Sequence, residues 1–344
     1  MKHETPINRA ALMAALEREY GLEVVELTFI PEGEVGQHYL VTCADQRSFF
    51  LTVLSESRLA RLAASRLDFY LVLTSELYER ELFRQLAPPI RTQADSLRMD
   101  FNGQPVILCP YIQGKNLMES PASPADFLER QAKLIAQLHE STTYLQLQIP
   151  YVEKFSIPFE ETLLFGLNRL EQVAPRDRAG RLALRVLLLP NREVILSLLA
   201  RLHELAELAV GLHPEFVLCH TDANLANWVL DEQGELFLVD WEGARLAPAE
   251  HDLFIFTGDG FPEFLRYYRR VRPQARLSAE LFGFYFYQRK LEDLTDWIVR
   301  ILDENTMDEQ DQHDLEGVMQ DCVSGWAYLE EGIEVVRQLL ADTA

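Results

Sequence analysis

Apolar and polar positions change period several times along the chain, and each change marks an element. Over residues 7–20, Ala10, Leu12, Ala15, Leu16 and Tyr20 fall mostly on one helical face, which predicts a helix. Strand-type segments follow at 24–30, 39–43 and 48–54, with a glycine-containing turn over 31–36 between the first two. In the third strand Phe49, Leu51 and Val53 share one face, and Phe50, Thr52 and Leu54 the other. Helical spacing returns over 59–86. Residues 97–101 and 105–112 then predict a hairpin, because Asn102-Gly103 between them is a tight-turn signal.

Beyond Gln113-Gly114 the pattern becomes helical. Ser123, Pro124 and Asp126 make a capping signature for a helix reaching about His139. Residues 158–210 are leucine-rich and helical, with breaks near 174–177 and 190–191. A short apolar strand at 216–219 and a hairpin of 228–230 with 236–239 interrupt the helices, which resume from Pro262 to the end. The pattern predicts an α+β protein with a small β-rich lobe over 1–110 and a larger, mostly helical lobe over 111–344.

Composition narrows the options. The 344 residues are 48% hydrophobic and 25% charged, an ordinary globular balance. With 32 Lys and Arg against 54 Asp and Glu, the net charge of −22 excludes a phosphate-backbone partner, so no nucleic acid is expected. The four cysteines at 43, 109, 219 and 322 are too far apart for a zinc motif or a disulfide framework. The N-terminal apolar run is too short for a secretion signal, and no window approaches about 18 consecutive apolar residues. A cytoplasmic protein with no membrane partner is expected.

The chemistry concentrates in residues 216–253, FVLCHTDANLANWVLDEQGELFLVDWEGARLAPAEHDL. Here His220-x-Asp222 is followed by Asn227, a hairpin, and Asp240 at the end of the second hairpin strand. Phosphoryl transfer asks for positioning and charge neutralisation more than for covalent help. A carboxylate on a loop can orient and accept the proton of an attacking hydroxyl, the role Asp222 suits. An amide oxygen and a carboxylate make a hard-oxygen pair for Mg2+, the role Asn227 and Asp240 suit. The hairpin returns Asp240 to the end where Asn227 lies.

This stretch resembles the catalytic region of the aminoglycoside phosphotransferase and choline kinase superfamily, which has a protein-kinase-like fold. The likeness is dense over 216–256 and colinear elsewhere, through FIPEGEVGQHYLV, the hinge strand VILCPYI and a late helix with Glu292-Asp293. The resemblance implies a bilobal fold and ATP- and Mg2+-dependent phosphorylation of a hydroxyl on a small cationic substrate of the aminocyclitol or aminoglycoside type. It makes Asp222 the catalytic aspartate, His220 its supporting residue, and Asn227 and Asp240 the metal ligands. It places the turn with Gly33 and Gly36 over the phosphates and the backbone of Cys109 and Tyr111 at adenine. Glu292, Asp293 and Asp296 would face the substrate amines, and Asp252 would tie the catalytic loop down.

One departure is conspicuous. The family carries a lysine on the third strand, paired with a helix glutamate, to hold the α- and β-phosphates. That position is Thr52 here, and Lys2 is the only lysine among the first 110 residues. Arg58 and Arg61 are the nearby cations, Glu76 and Glu79 the candidate glutamates, and Glu32 and Glu34 would repel phosphate unless turned outward. Two other readings therefore stand beside the first: a metabolic kinase for a choline-, sugar- or amino-acid-type alcohol, and a weak or inactive ligand-binding homologue. The eight acids of 301–321 read mainly as a solvated face, His139 as structural, Trp297 as core before ligand face, and Phe282–Tyr287 as core.

Overall fold

The computed structural model describes residues 4–31, 33, 35–120 and 124–342. Ser123, Glu32, Glu34 and Lys2 lie outside them. In chain order the elements are α1 (Arg9–Tyr20), β1 (Val24–Ile30), β2 (Gly36–Cys43), β3 (Ser48–Leu54), α2 (Arg58–Glu79), β4 (Met99–Phe101), β5 (Gln104–Pro110), β6 (Gly114–Asn116) and α3 (Leu128–Ser141). There follow α4 (Glu160–Leu170), α5 (Ala179–Leu188), α6 (Arg192–Leu212), β7 (Phe216–Cys219), β8 (Trp228–Asp231), β9 (Leu236–Leu238) and β10 (Arg245–Pro248). The rest is helical: α7 (Glu250–Leu253), α8 (Phe261–Val271), α9 (Ala279–Val299), α10 (Asp308–Gly317) and α11 (Leu329–Asp342). The chain folds as two compact units, one of Met1–Tyr151, Val217–Leu246 and Glu263–Pro273, the other of Val152–Phe216, Ala247–Pro262 and Gln274–Ala344.

In the first unit an antiparallel sheet runs β1-β2-β3-β5-β4. Its strands alternate as the sequence predicts. Tyr39, Val41, Leu51, Val53, Val106 and Leu108 fill one face and pack with Leu12 and Leu16 of α1. Leu54 and Ile107, on the other face, pack with Leu67 and Leu71 of α2. Each leucine so buried contributes about 2 kcal/mol of transfer free energy. The helix predicted to reach residue 86 stops at Glu79. Glu81 turns the chain at φ 59°, and the N–H groups of Leu82 and Phe83 both donate to the Leu77 carbonyl. Phe83 and Leu86 remain buried, so the apolar spacing outlasted the helix because irregular chain still fills the core. A second sheet, β6-β8-β9, carries the hairpin of the catalytic stretch. Leu238 of that hairpin donates its N–H to the Gln85 carbonyl at 2.8 Å, fixing it to the segment after α2. His139 on α3 is buried, with Nδ1 2.7 Å from the Tyr268 hydroxyl, as its structural reading required.

The second unit is helical. α9 packs on α4, α6 and α11, and its Phe282, Phe284, Tyr285 and Tyr287 are core, as expected. Six of the eight acids between 301 and 321 are exposed, while Asp311 and Asp314 are buried. Asp311 meets Arg178 at 3.0 Å, Asp314 meets Arg300 at 3.1 Å, and the Asn305 amide donates to both carboxylates. Among the described residues no helix is long and apolar enough to cross a membrane.

Candidate active site

The loop after β7 is held by its own backbone and by two aromatic rings. His220 is fully buried. Its Nε2 donates to the Val239 carbonyl at 2.8 Å, and Nδ1 lies 3.4 Å from the Asp222 N–H, which sets the neutral tautomer with the proton on Nε2. The imidazole meets the Trp241 ring edge to face at 4.8 Å, and Trp241 donates its Nε1–H to the Leu238 carbonyl. His220 is thus a positioning residue joining the Asp222 loop to the end of β9. Asn227 closes the loop from within: its Nδ2 donates to the Asp222 carbonyl at 2.8 Å and to Asp222 Oδ2 at 3.0 Å. Val239 returns an N–H to the Asn227 carbonyl at 3.0 Å. These bonds bring Asn227 and the chain leading into Asp240 to one end of the hairpin. Thr221 and Asp240 both adopt the left-handed region, with φ of 76° and 68°.

With Nδ2 committed to Asp222, the Oδ1 of Asn227 is the side-chain atom that could hold a cation. Asp240 keeps contact with solvent while protein atoms crowd its carboxyl. Removal from bulk water, and after it the charges of Glu242 and Asp222, push its carboxyl up to about 7. Glu242 is raised by desolvation first and by the Asp222 charge, with a backbone N–H bond and Arg66 opposing. A carboxyl raised by two neighbouring carboxylates marks a site short of positive charge. An amide oxygen with two carboxylates is the donor set that Mg2+ takes, so the residues fit the ion.

Glu242 was not singled out from sequence, although two acids flanking Trp241 directly after a strand were a readable signal. Arg66 of α2 was also missed. Its guanidinium donates to the Glu242 carbonyl at 2.7 Å and stacks over Tyr151 at 4.1 Å. No local pattern announces a contact spanning that much chain.

The expected glutamate partners are engaged elsewhere. Glu76 accepts N–H bonds from Gln146 and Leu147 and pairs with Arg80 at 2.8 Å, while Glu79 pairs with Arg91 at 3.5 Å. Both anchor chain at the C-terminal end of α2. At the other end Arg58 and Arg61 are exposed, and Arg61 donates to the Glu56 carbonyl. Gly33 has φ 80° and Gly36 opens β2. On β5, Cys109 pairs with Phe50, and burial pushes its thiol up to about 12. The Tyr111 N–H donates to the Ser48 carbonyl at 3.2 Å, so the strand pair commits the donor expected to face adenine.

Glu292, Asp293 and Asp296 lie on α9 in the second unit, Glu292 exposed and the other two half-buried. Asp293 accepts from Arg289 at 2.9 Å; burial nevertheless raises its carboxyl, the arginine opposing. The Trp297 ring is covered by Arg300 at 4.8 Å, which occupies the face a cationic ligand would use. Asp252 is buried in α7.

An antiparallel sheet with a helical body, and a His-x-Asp loop leading through a hairpin to Asp240 and Glu242, give a kinase-like bilobal α+β fold. The chain belongs to the phosphotransferase enzyme family, whose model matches residues 26–294. It is an enzyme that transfers a phosphoryl group to a hydroxyl of a small molecule. The fold is similar to that of a spectinomycin phosphotransferase solved with ADP and spectinomycin, at TM-score 0.75 and 20% identity, covering 95% of this chain and 100% of that one. A microcompartment-associated aminopropanol kinase superposes with TM-score 0.62 at 15% identity, covering 94% of this chain and 98% of that one. For a choline kinase from Streptococcus pneumoniae the values are 0.54 and 17%, with 90% and 98% covered.

Proposed function

We propose that this chain is a cytoplasmic, ATP- and Mg2+-dependent O-phosphotransferase acting on a hydroxyl of a cationic, spectinomycin-like aminocyclitol or aminoglycoside. The observation that carries the reading is the loop in which Asn227 pins the Asp222 carboxylate while Asp240, raised by burial and by the charges of Glu242 and Asp222, lies beside it. Asp222 orients the acceptor hydroxyl and takes its proton as the new O–P bond forms. Asn227 Oδ1 and Asp240 would hold Mg2+, with Glu242 as a further oxygen donor. When bound, that ion neutralises charge on the phosphate oxygens. His220 keeps the loop in register with β9. Residues 1–110 form the nucleotide lobe, with Gly33 and Gly36 over the phosphates, Cys109 at adenine through its backbone, and Tyr111 there through its carbonyl. Residues 111–344 form the catalytic and substrate lobe, with Glu292, Asp293 and Asp296 toward the substrate amines. The substrate class draws support from the spectinomycin-bound relative.

The test is ADP release across spectinomycin, other aminoglycosides, choline, homoserine and methylthioribose. Substrate-dependent ADP that vanishes in Asp222→Ala is expected, and its absence from the wild type with every acceptor defeats the reading. The aminopropanol and choline kinase folds favour a metabolic alcohol as the second reading, and the same panel separates it. Thr52 favours a third, a weak or inactive nucleotide-binding homologue. A thermal shift with Mg·ATP but no turnover would select it.

A further inference from the structure

Thr52 stands where the resemblance expects a phosphate-binding lysine, and the strand pairing puts another side chain beside it. β2 and β3 are in a register that sets His38 directly opposite Thr52, and Thr52 opposite Ile107 of β5. Strand alternation puts His38, Phe50, Thr52 and Leu54 on the face that also receives α2, opposite the face that packs on α1. His38 Nδ1 lies 3.0 Å from Thr52 Oγ1, and the imidazole stacks on Phe50 with centroids 5.1 Å apart and planes 22° apart. Both its plane and its rotation are therefore set.

The other edge of the ring meets Gly33. A Cβ on Gly33 would stand 2.3 Å from His38 Nε2, so the backbone of residue 33 lies beside the imidazole only because it has no side chain. Nε2 makes no hydrogen bond among the described residues. Only 7% of His38 is exposed, and burial lowers its pKa to about 4, so the ring is neutral near pH 7. In the tautomer where the Thr52 hydroxyl donates to Nδ1, the ring proton sits on Nε2, on the side of Gly33.

We propose that His38, oriented by Thr52, takes the place of the absent lysine and donates its Nε2–H to the nucleotide phosphates on the side of Gly33. The assignment rests on the phosphotransferase reading above. It replaces an ammonium with a fixed neutral donor, so the site keeps a directed hydrogen bond and gives up a charge. A hydrogen bond to a charged phosphate oxygen is strong enough that removing its donor weakens binding roughly 10- to 100-fold.

The experiment compares Mg·ADP with adenosine by titration calorimetry in the full-length protein. In His38→Ala, affinity for Mg·ADP should fall at least tenfold while adenosine stays within twofold, because adenosine has no phosphate to lose. Thr52→Val, which frees the ring to turn, should lose at least threefold for Mg·ADP alone. His38→Gln, which keeps an N–H donor, should bind Mg·ADP more tightly than His38→Ala and serves as the folding control. Equal losses for both ligands would show a packing role and overturn the assignment, as would no loss for either. Wild-type protein that binds no Mg·ADP defeats the phosphotransferase reading and this assignment together. Wild-type binding that His38→Ala leaves unchanged defeats the assignment alone.

Discussion

In the first unit Asp222, Asp240 and Glu242 crowd one another, with Arg66 the cation that moderates Glu242. In the second, Asp311 and Asp314 are more deeply buried, yet each lies against a guanidinium and both accept from Asn305. Local pairing therefore separates the two sets more sharply than burial does. Acids that are neutralised on the spot hold helices together. Acids left to repel one another keep a negative potential that a divalent cation can use. A net charge of −22 tells nothing of this partition.

Substitutions should split the two sets. Asp222→Ala should lower turnover by about 10³-fold or more, with a melting temperature within roughly 2 °C of wild type, since its removal relieves repulsion. ADP release and calorimetry check the two halves, and an equal loss of stability would erase the contrast. Asp314→Ala should do the reverse, costing about 3–5 kcal/mol because it removes the buried carboxylate paired with Arg300 and takes one of the two acceptors from the Asn305 amide. Denaturant unfolding measures that cost, and turnover by the remaining folded fraction should stay within a few-fold of wild type.

Glu250 is an intermediate case. It is buried in the second unit, accepts from the Ser278 N–H at 2.7 Å, and burial raises its carboxyl to about 7. A folded-state pKa above the unfolded one means its stabilising contribution is present below about pH 4.5 and is lost as pH rises through 7. Glu250→Gln should therefore match wild type near pH 4.5 and melt a few degrees higher at pH 8, a gain of about 1–3 kcal/mol. A pH-independent difference would remove Glu250 from the comparison. The smallest effect is expected at Thr52→Lys, where His38 already fills the corner: turnover should change by less than about threefold. A large gain would mean that the missing charge limits the reaction.

What the sequence made legible follows contact range. The residues from 216 to 253 act on one another locally, so His220, Asp222, Asn227 and Asp240 could be picked out before any fold was known. Strand alternation likewise assigned Leu51 and Thr52 to opposite faces. Neither kind of reasoning reaches across elements. Arg66 meets the Glu242 carbonyl over most of the chain's length, and His38 meets Thr52 only through a register that alternation does not set. Glu76 and Glu79 looked suitable as lysine partners because they lie on α2. At the C-terminal end of that helix these acids bind Gln146, Leu147 and Arg91 instead.

The left-handed backbone at Thr221 and Asp240 has a bearing on how the protein would respond to selection. A β-branched residue at φ 76° and an aspartate at φ 68° each hold the chain in a conformation that glycine adopts at much lower cost, a difference of about 1–3 kcal/mol. A library ranked on heat tolerance alone would drift toward glycine at both positions. Each step would register as an improvement while it unlearned the geometry that aims the carboxylates, so robustness and activity pull against each other at two neighbouring loops.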